Sequence, residues 1–372
     1  MIRSHVDVVG SLLRPAELLA AQKKFAAGEL QPADFKKIED RAVDQAVTLQ
    51  EEAGLEIVTD GEMRRQSFQT QMTAAVDGFG EHTLDAFLWG QWYGDQATGD
   101  RSLGRPPGLG VVSKLRRRRH LCAHLPPRPH TAHRESNATQ SESVGEFLVA
   151  PTLESCLPHS RIVPRGRGEI LCEEVAELAR LGATYIQIDA PHYALLIDPT
   201  TRRFYEQQAA QAGRTASMQQ WLERALELDN ALISAAPAVT YGFHLCRGNQ
   251  DSRWLAEGSY EPIAPIVFQK IKAHRLLLEY DDVRSGSFEP LRLVPNDKSV
   301  VLGLITTKMP RMETRQELIE RIRDASRYVR LERLALSPQC GFASSVVGNR
   351  FFLEGEKRKL RLLVETARAV WG

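Results

Sequence analysis

The chain has 372 residues, of which 42 % are hydrophobic, and its formal net charge is +1. A balance this close to neutral excludes a general attraction to nucleic acid, and no apolar run approaches the ~18 residues of a membrane span. Five cysteines, an odd number, argue against a disulfide framework and suit a reduced compartment in which thiolates can bind metal. Residues 1–6 contain no signal-peptide apolar core, so a cytoplasmic location is expected.

Residues 6–11, Val6-Asp-Val-Val-Gly-Ser11, predict a short buried strand, and Pro15 then suits the first turn of a helix. A long helix with a charged face is expected over 34–53, followed by a strand over 55–62 whose polar residues gather at its C-terminal end. Further strands are expected at 183–189, 239–244, 275–280, 300–307 and 334–340, with helical patterns at 173–180, 218–235, 314–327 and 355–369. Seven strand-then-helix steps imply parallel strands with right-handed crossovers. An eighth strand in the gap between Glu62 and Thr184 would complete an α/β fold of the (β/α)8, TIM-type barrel class. The alternative, an open doubly wound sheet, lacks a Gly-rich phosphate loop after the first strand.

Three of these runs end in candidate metal ligands. The strand over 239–244 leads into His244-Leu-Cys246, and side chains two apart on a strand share a face. Zinc accepts imidazole and thiolate readily but needs further donors. Arg275-Leu-Leu-Leu-Glu-Tyr280 supplies Glu279, a carboxylate too costly to bury without a partner, and the run over 334–340 supplies Cys340. A His-x-Cys pair alone is more often simply core. In a barrel the chemistry lies at the C-terminal strand ends, where Ser11, Glu62, Asp189, His244, Cys246, Glu279 and Cys340 are expected.

The segments Val9-Gly-Ser-Leu-Leu-Arg-Pro15, Thr59-Asp-Gly-Glu62, Gln187-Ile-Asp189, His244-Leu-Cys246 and Ser337-Pro-Gln-Cys-Gly341 resemble the cobalamin-independent methionine synthases, specifically the single-barrel relatives of their C-terminal catalytic domain. The resemblance covers 8–122 and 169–371. It implies that His244, Cys246, Glu279 and Cys340 hold Zn2+, and that Ser11, Glu62 and Asp189 hold the amino-acid part of homocysteine. It further implies a zinc-dependent methyltransferase of methionine biosynthesis, acting as a 5-methyltetrahydropteroyltriglutamate–homocysteine S-methyltransferase. The partners implied are a small-molecule thiol and a methyl donor, either 5-methyltetrahydrofolate or another methyl carrier, and neither nucleic acid nor membrane. The alternatives are a catalytically compromised zinc-binding barrel, or a thiol alkyltransferase with a different acceptor.

The chain departs from the synthase pattern in places. A separate N-terminal barrel is missing, and Ala190-Pro191-His192 stands where Glu-Pro follows the aspartate. Gly303-Leu-Ile-Thr-Thr-Lys308 replaces a segment that carries a histidine credited with protonating the leaving group. Lys308 is the candidate substitute, weighed against an ordinary solvated lysine.

The whole chain, 1–372, is expected to be one barrel with an anomalous segment at about 124–168, rich in Pro, His, Ser and Arg. The third-strand region is therefore expected to be disrupted. A shifted reading frame would account for it: from the second base of the Glu135 codon the codons can give K-V-T-L-P-S-P, similar to the family's strand here. A genuine insertion is the other possibility, and the nucleotide sequence distinguishes the two.

Overall fold

The computed structural model describes residues 4–67, 93–94, 166–211 and 217–372, together with the backbone of short strands at 76–77, 116–117, 143–144 and 146–149. Two helices come first, α1 (Ala16–Ala26) and α2 (Pro32–Ala53). Pro32 opens α2 where its missing N–H is no loss. Gly54 closes it at φ 87°, a left-handed cap that side chains resist.

The strands are β1 (Ile57–Val58), β2 (Val76–Asp77), β3 (Arg116–Arg117), β4 (Ser143–Val144), β5 (Glu146–Val149), β6 (Tyr185–Asp189), β7 (Thr240–Leu245), β8 (Arg275–Glu279), β9 (Ser299–Ile305) and β10 (Leu334–Pro338). A six-stranded sheet in the order β10-β9-β8-β7-β6-β5 is parallel throughout. The helices that follow or separate these strands are α3 (Gly166–Arg180), α4 (Pro199–Gln211), α5 (Met218–Ala235), α6 (Ala264–Lys270), α7 (Arg315–Ala325) and α8 (Leu353–Trp371). The α/β class and the parallel sheet are as the sequence predicts.

Both faces of the sheet are buried, so its strands are nearly continuous apolar runs. Alternation still sorts their side chains. Leu276, Leu278, Val300, Leu302, Leu334 and Leu336 belong to the large core. Leu277, Val301 and Ala335, one position along on each strand, pack instead with Val9, Cys246 and Cys340. This second set lines the inner face. Low on that face, Arg275 Nε donates to Asp7 Oδ2 at 3.1 Å and Tyr185 Oη donates to the same oxygen at 3.1 Å. Gly242 makes room for them: a Cβ there would meet Tyr185 Oη at 2.3 Å.

Two expected strands are shorter than predicted. Residues 6–11 make a single parallel bridge, Val6 with Leu336, on the free edge of β10. The next rung would need an N–H from Pro338, which has none, so the ladder stops; Asp7 Oδ1 takes the Val8 N–H on the opposite edge. The strand over 55–62 shrinks to β1 because Gln50 intercepts the next residue: its Oε1 accepts Thr59 N–H and its Nε2 donates to Thr59 O. Two helices, α4 and the short α6, were not predicted; α4 shows why. Its sequence has little apolar period, and its start is set by Asp198 Oδ1, which accepts the N–H groups of Thr200 and Thr201.

The third-strand position holds backbone. β4 pairs with β1 and β5 pairs with β6, both in parallel. Pairing on both edges counts against the disruption expected here and against the shifted reading frame offered to explain it. Parallel pairing engages backbone groups only, so the reading frame of this stretch is a question for its codons. Cys122 and Cys156, and most of 124–165, lie outside the described residues.

Candidate metal centre and active site

β7 delivers His244 and, just past its end, Cys246 to the inner face; Cys340 follows β10 by two residues. The ligand atoms of His244, Cys246 and Cys340 lie within 4.8 Å of one another, and all three residues are buried. One imidazole and two sulfurs are a donor set that zinc favours. The Cys246 thiol beside it, with His244 and Lys308 nearby, holds the Cys340 thiol below its ordinary value despite burial.

Asp189 ends β6 directly opposite His244 in the register. Its Oδ1 accepts His244 Nδ1–H at 2.8 Å and Gln187 Nε2–H at 3.0 Å. Burial alone would lower the imidazole, but Asp189 outweighs it and raises it to about 9. Engaging Nδ1 leaves Nε2, which lies 3.3 Å from Gln339 O, as the ring nitrogen available to a metal, the usual service of a carboxylate behind a metal-binding histidine. Sequence reasoning gave Asp189 to the substrate and missed this bond. The spacing of β6 and β7 could not reveal it, because only the register makes the two residues neighbours.

Glu62 lies in a tight turn at φ 56°, a left-handed conformation uncommon for a residue with a side chain. Asp60 Oδ1 accepts its N–H at 2.7 Å, and Arg14 Nη2 donates to its carbonyl at 3.1 Å. The side chain is buried, with one oxygen 3.9 Å from Arg65 Nη1 and Oε2 without a partner among the described residues. Burial, reinforced by Asp189 and opposed by Arg65, raises its carboxyl to about 7. Ser11 is buried beside the Cys340 loop: its Oγ accepts Ala343 N–H at 3.3 Å and its carbonyl accepts Phe342 N–H at 2.7 Å. Gly341 permits that approach, since a Cβ there would stand 1.8 Å from Ser11 Oγ.

Glu279 ends β8 fully buried, yet its carboxylate is not part of the His244–Cys246–Cys340 group. Oε1 accepts Arg284 Nη2 at 2.6 Å and lies 3.4 Å from Lys308 Nζ, and Oε2 accepts the Arg247 N–H at 2.7 Å. Burial would raise this carboxyl, but Lys308, Arg284 and Arg247 together hold it well below the usual range. Lys308 itself is 2 % exposed. It is therefore not a solvated lysine, and Arg284 and Arg14 are further site residues that the sequence did not single out. Arg14 straps the mouth together, donating to the carbonyls of Glu62, Arg65, Ala343 and Ser345.

Among the described residues, no helix is long and apolar enough to cross a membrane. The chain is 31 % identical to the uncharacterized protein YxjG of Bacillus subtilis, over 99 % of this chain and 94 % of that one. A methionine synthase of Pyrococcus abyssi is 24 % identical over 90 % of this chain and 85 % of its own length. The solved B12-independent methionine synthase of Shewanella sp. W3-18-1, in complex with selenomethionine, shares the fold with a TM-score of 0.65. It is 17 % identical, over 100 % of this chain and 98 % of that one. Residues 165–368, which carry Asp189 and the whole buried His/Cys/Cys group, match the catalytic-domain profile of the cobalamin-independent synthases, and the chain belongs to that family.

Proposed function

We propose that this chain is a zinc-dependent methyltransferase that passes a methyl group from a methylated carrier, such as a 5-methyltetrahydrofolate, to the thiol of homocysteine or a similar amino thiol. The observation that carries this reading is the convergence of two sulfurs and one imidazole, beside two carboxylates, at the C-terminal ends of parallel strands. The fold that presents it is read as a single (β/α)8 barrel over 1–372. Two contacts support that reading: Val6 bridges to Leu336 on β10, and Gln187 Nε2 on β6 donates to Val9 O at 3.0 Å.

Zn2+ would be held by His244, Cys246 and Cys340, and when bound it keeps an incoming thiol as the nucleophilic thiolate. The chain's own groups do the rest. Asp189 holds the His244 ring in orientation. Glu62, with one buried oxygen that no donor among the described residues meets, is suited to an ammonium group, since an unmet buried acceptor is costly until a ligand meets it. Asp189 lies close enough to Glu62 to add negative charge to the same site. Ser11 is the candidate for the acceptor's carboxylate. With the acceptor fixed at both ends, methyl transfer depends mainly on holding the donor carbon in line with sulfur.

The test is a thiol-methylation assay with purified, zinc-loaded protein, homocysteine, and several methyl donors. Methionine formation that stops on chelation and returns with zinc is the expected result. No methylation of any thiol with any donor, in protein that holds zinc, would defeat the proposal.

A further inference from the structure

Gln187 lies in the middle of β6, one inner-face position before Asp189, and is 1 % exposed. Its amide nitrogen spends both N–H groups: Nε2 donates to Val9 O at 3.0 Å and to Asp189 Oδ1 at 3.0 Å. Both partners can only accept, one being a carbonyl and the other a carboxylate oxygen that also takes His244 Nδ1–H. The amide therefore cannot be turned over, and its partners decide which end is oxygen. That leaves Oε1 buried on the remaining side, without a donor among the described residues. Val9 packs with Cys246 and Cys340, so the layer that Gln187 reaches lies against the candidate metal centre.

The same bonds divide the Asp189 carboxylate. Among the described residues, both of its hydrogen bonds fall on Oδ1, which leaves Oδ2 for another donor. The oxygen and nitrogen of an amide are about 2 Å apart, so Gln187 Oε1 lies within about 5 Å of Asp189 Oδ1. Glu62 approaches Asp189 from the turn after β1, with Oε2 likewise unmet among the described residues. Asp189 is thus the neighbour of both, and three acceptors gather around it. A primary ammonium group carries three N–H donors, each of which needs an acceptor once water is gone.

We propose that Gln187 Oε1 is the third acceptor for the ammonium group of the incoming amino thiol, and that it makes the site selective for a primary amine. This rests on the amino-thiol reading above. Glu62 and Asp189 supply the charge, and Gln187 meets the last N–H without adding a third anion. An N-methyl group would replace one donor and leave a buried oxygen unmet, most cheaply the neutral one on Gln187. A site built to hydrogen-bond an N–H rejects the analogue lacking it far more strongly than an apolar pocket rejects a change of size. Through Nε2, Gln187 also keeps Asp189 Oδ1 on the His244 side, so it is a positioning residue as well.

Isothermal titration of the zinc-loaded protein tests this with homocysteine, its N-methyl derivative and 4-mercaptobutanoate, which lacks the amino group. The unaltered chain should bind N-methylhomocysteine at least about 100-fold more weakly than homocysteine. Gln187→Met, which keeps the length and removes the amide, should weaken homocysteine about 10–100-fold and 4-mercaptobutanoate less than about threefold. The same variant should shrink the discrimination against the N-methyl derivative to about tenfold or less, a relaxation that neither misfolding nor a displaced Asp189 imitates. Equal losses for homocysteine and 4-mercaptobutanoate would make the amide structural and overturn the proposal. Similar affinities of the unaltered chain for homocysteine and its N-methyl derivative would overturn it without any variant. Either result leaves the proposed function standing, whereas failure of homocysteine itself to bind would overturn both.

Discussion

The two ends of the inner face are built from similar residues and behave differently. At the N-terminal end Asp7, Arg275 and Tyr185 form a closed group: Asp7 meets Val8 N–H, Arg275 and Tyr185, and Arg275 also donates to Ser4 O at 3.2 Å. At the C-terminal end the polar groups are just as buried, but Glu62 Oε2, Gln187 Oε1 and Gln339 Oε1 have no partner among the described residues. Buried polar atoms in native proteins are normally satisfied. The difference separates a closed cluster from one with acceptors to spare, which is what the proposed substrate site requires.

The largest effect should come from breaking the closed end. Arg275→Met leaves Asp7 buried without its cation, and unfolding by denaturant should show a loss of about 3–5 kcal/mol. Zinc affinity of the folded fraction should be unchanged. A similar loss of zinc affinity would mean that the two ends are not separable.

The open end should respond in the opposite sense. Glu62 has a folded pKa of about 7, above the ordinary carboxylate value. A carboxyl raised by folding contributes fully below about pH 4.5 and loses that contribution as pH rises through 7. Glu62→Gln should then make the substrate-free protein more stable above pH 8, by on the order of 3 kcal/mol. It should also weaken acceptor binding more than metal binding. Thermal melts at pH 5 and 8.5, with isothermal titration of the acceptor, check both halves. A variant destabilised at pH 8.5 would show that Glu62 is structural.

A smaller change should follow from Asp189→Asn, which removes the charge behind His244 and leaves the shape. Zinc affinity should fall about 10–100-fold, the range for a carboxylate behind a ligating histidine. The effect on stability should be slight, because Asp189 is only partly buried. Unchanged zinc affinity would return Asp189 to the substrate alone.

Much of this arrangement was legible in the chain itself. Alternation along 239–246, 275–279 and 334–340 was enough to put His244, Cys246 and Cys340 at strand ends, because parallel strands buried on both faces must be apolar and their polar residues must gather at the termini. The helices at 218–235 and 353–371 were likewise visible in their apolar period. Tertiary structure decided the rest. Strand register made Asp189 the partner of His244, and contacts from distant loops placed Lys308 and Arg284 on Glu279. A side-chain bond from Gln50 and the missing N–H of Pro338 cut two predicted strands short. A sequence states which groups are costly to bury; which partner meets each one depends on segments brought together only when the chain folds.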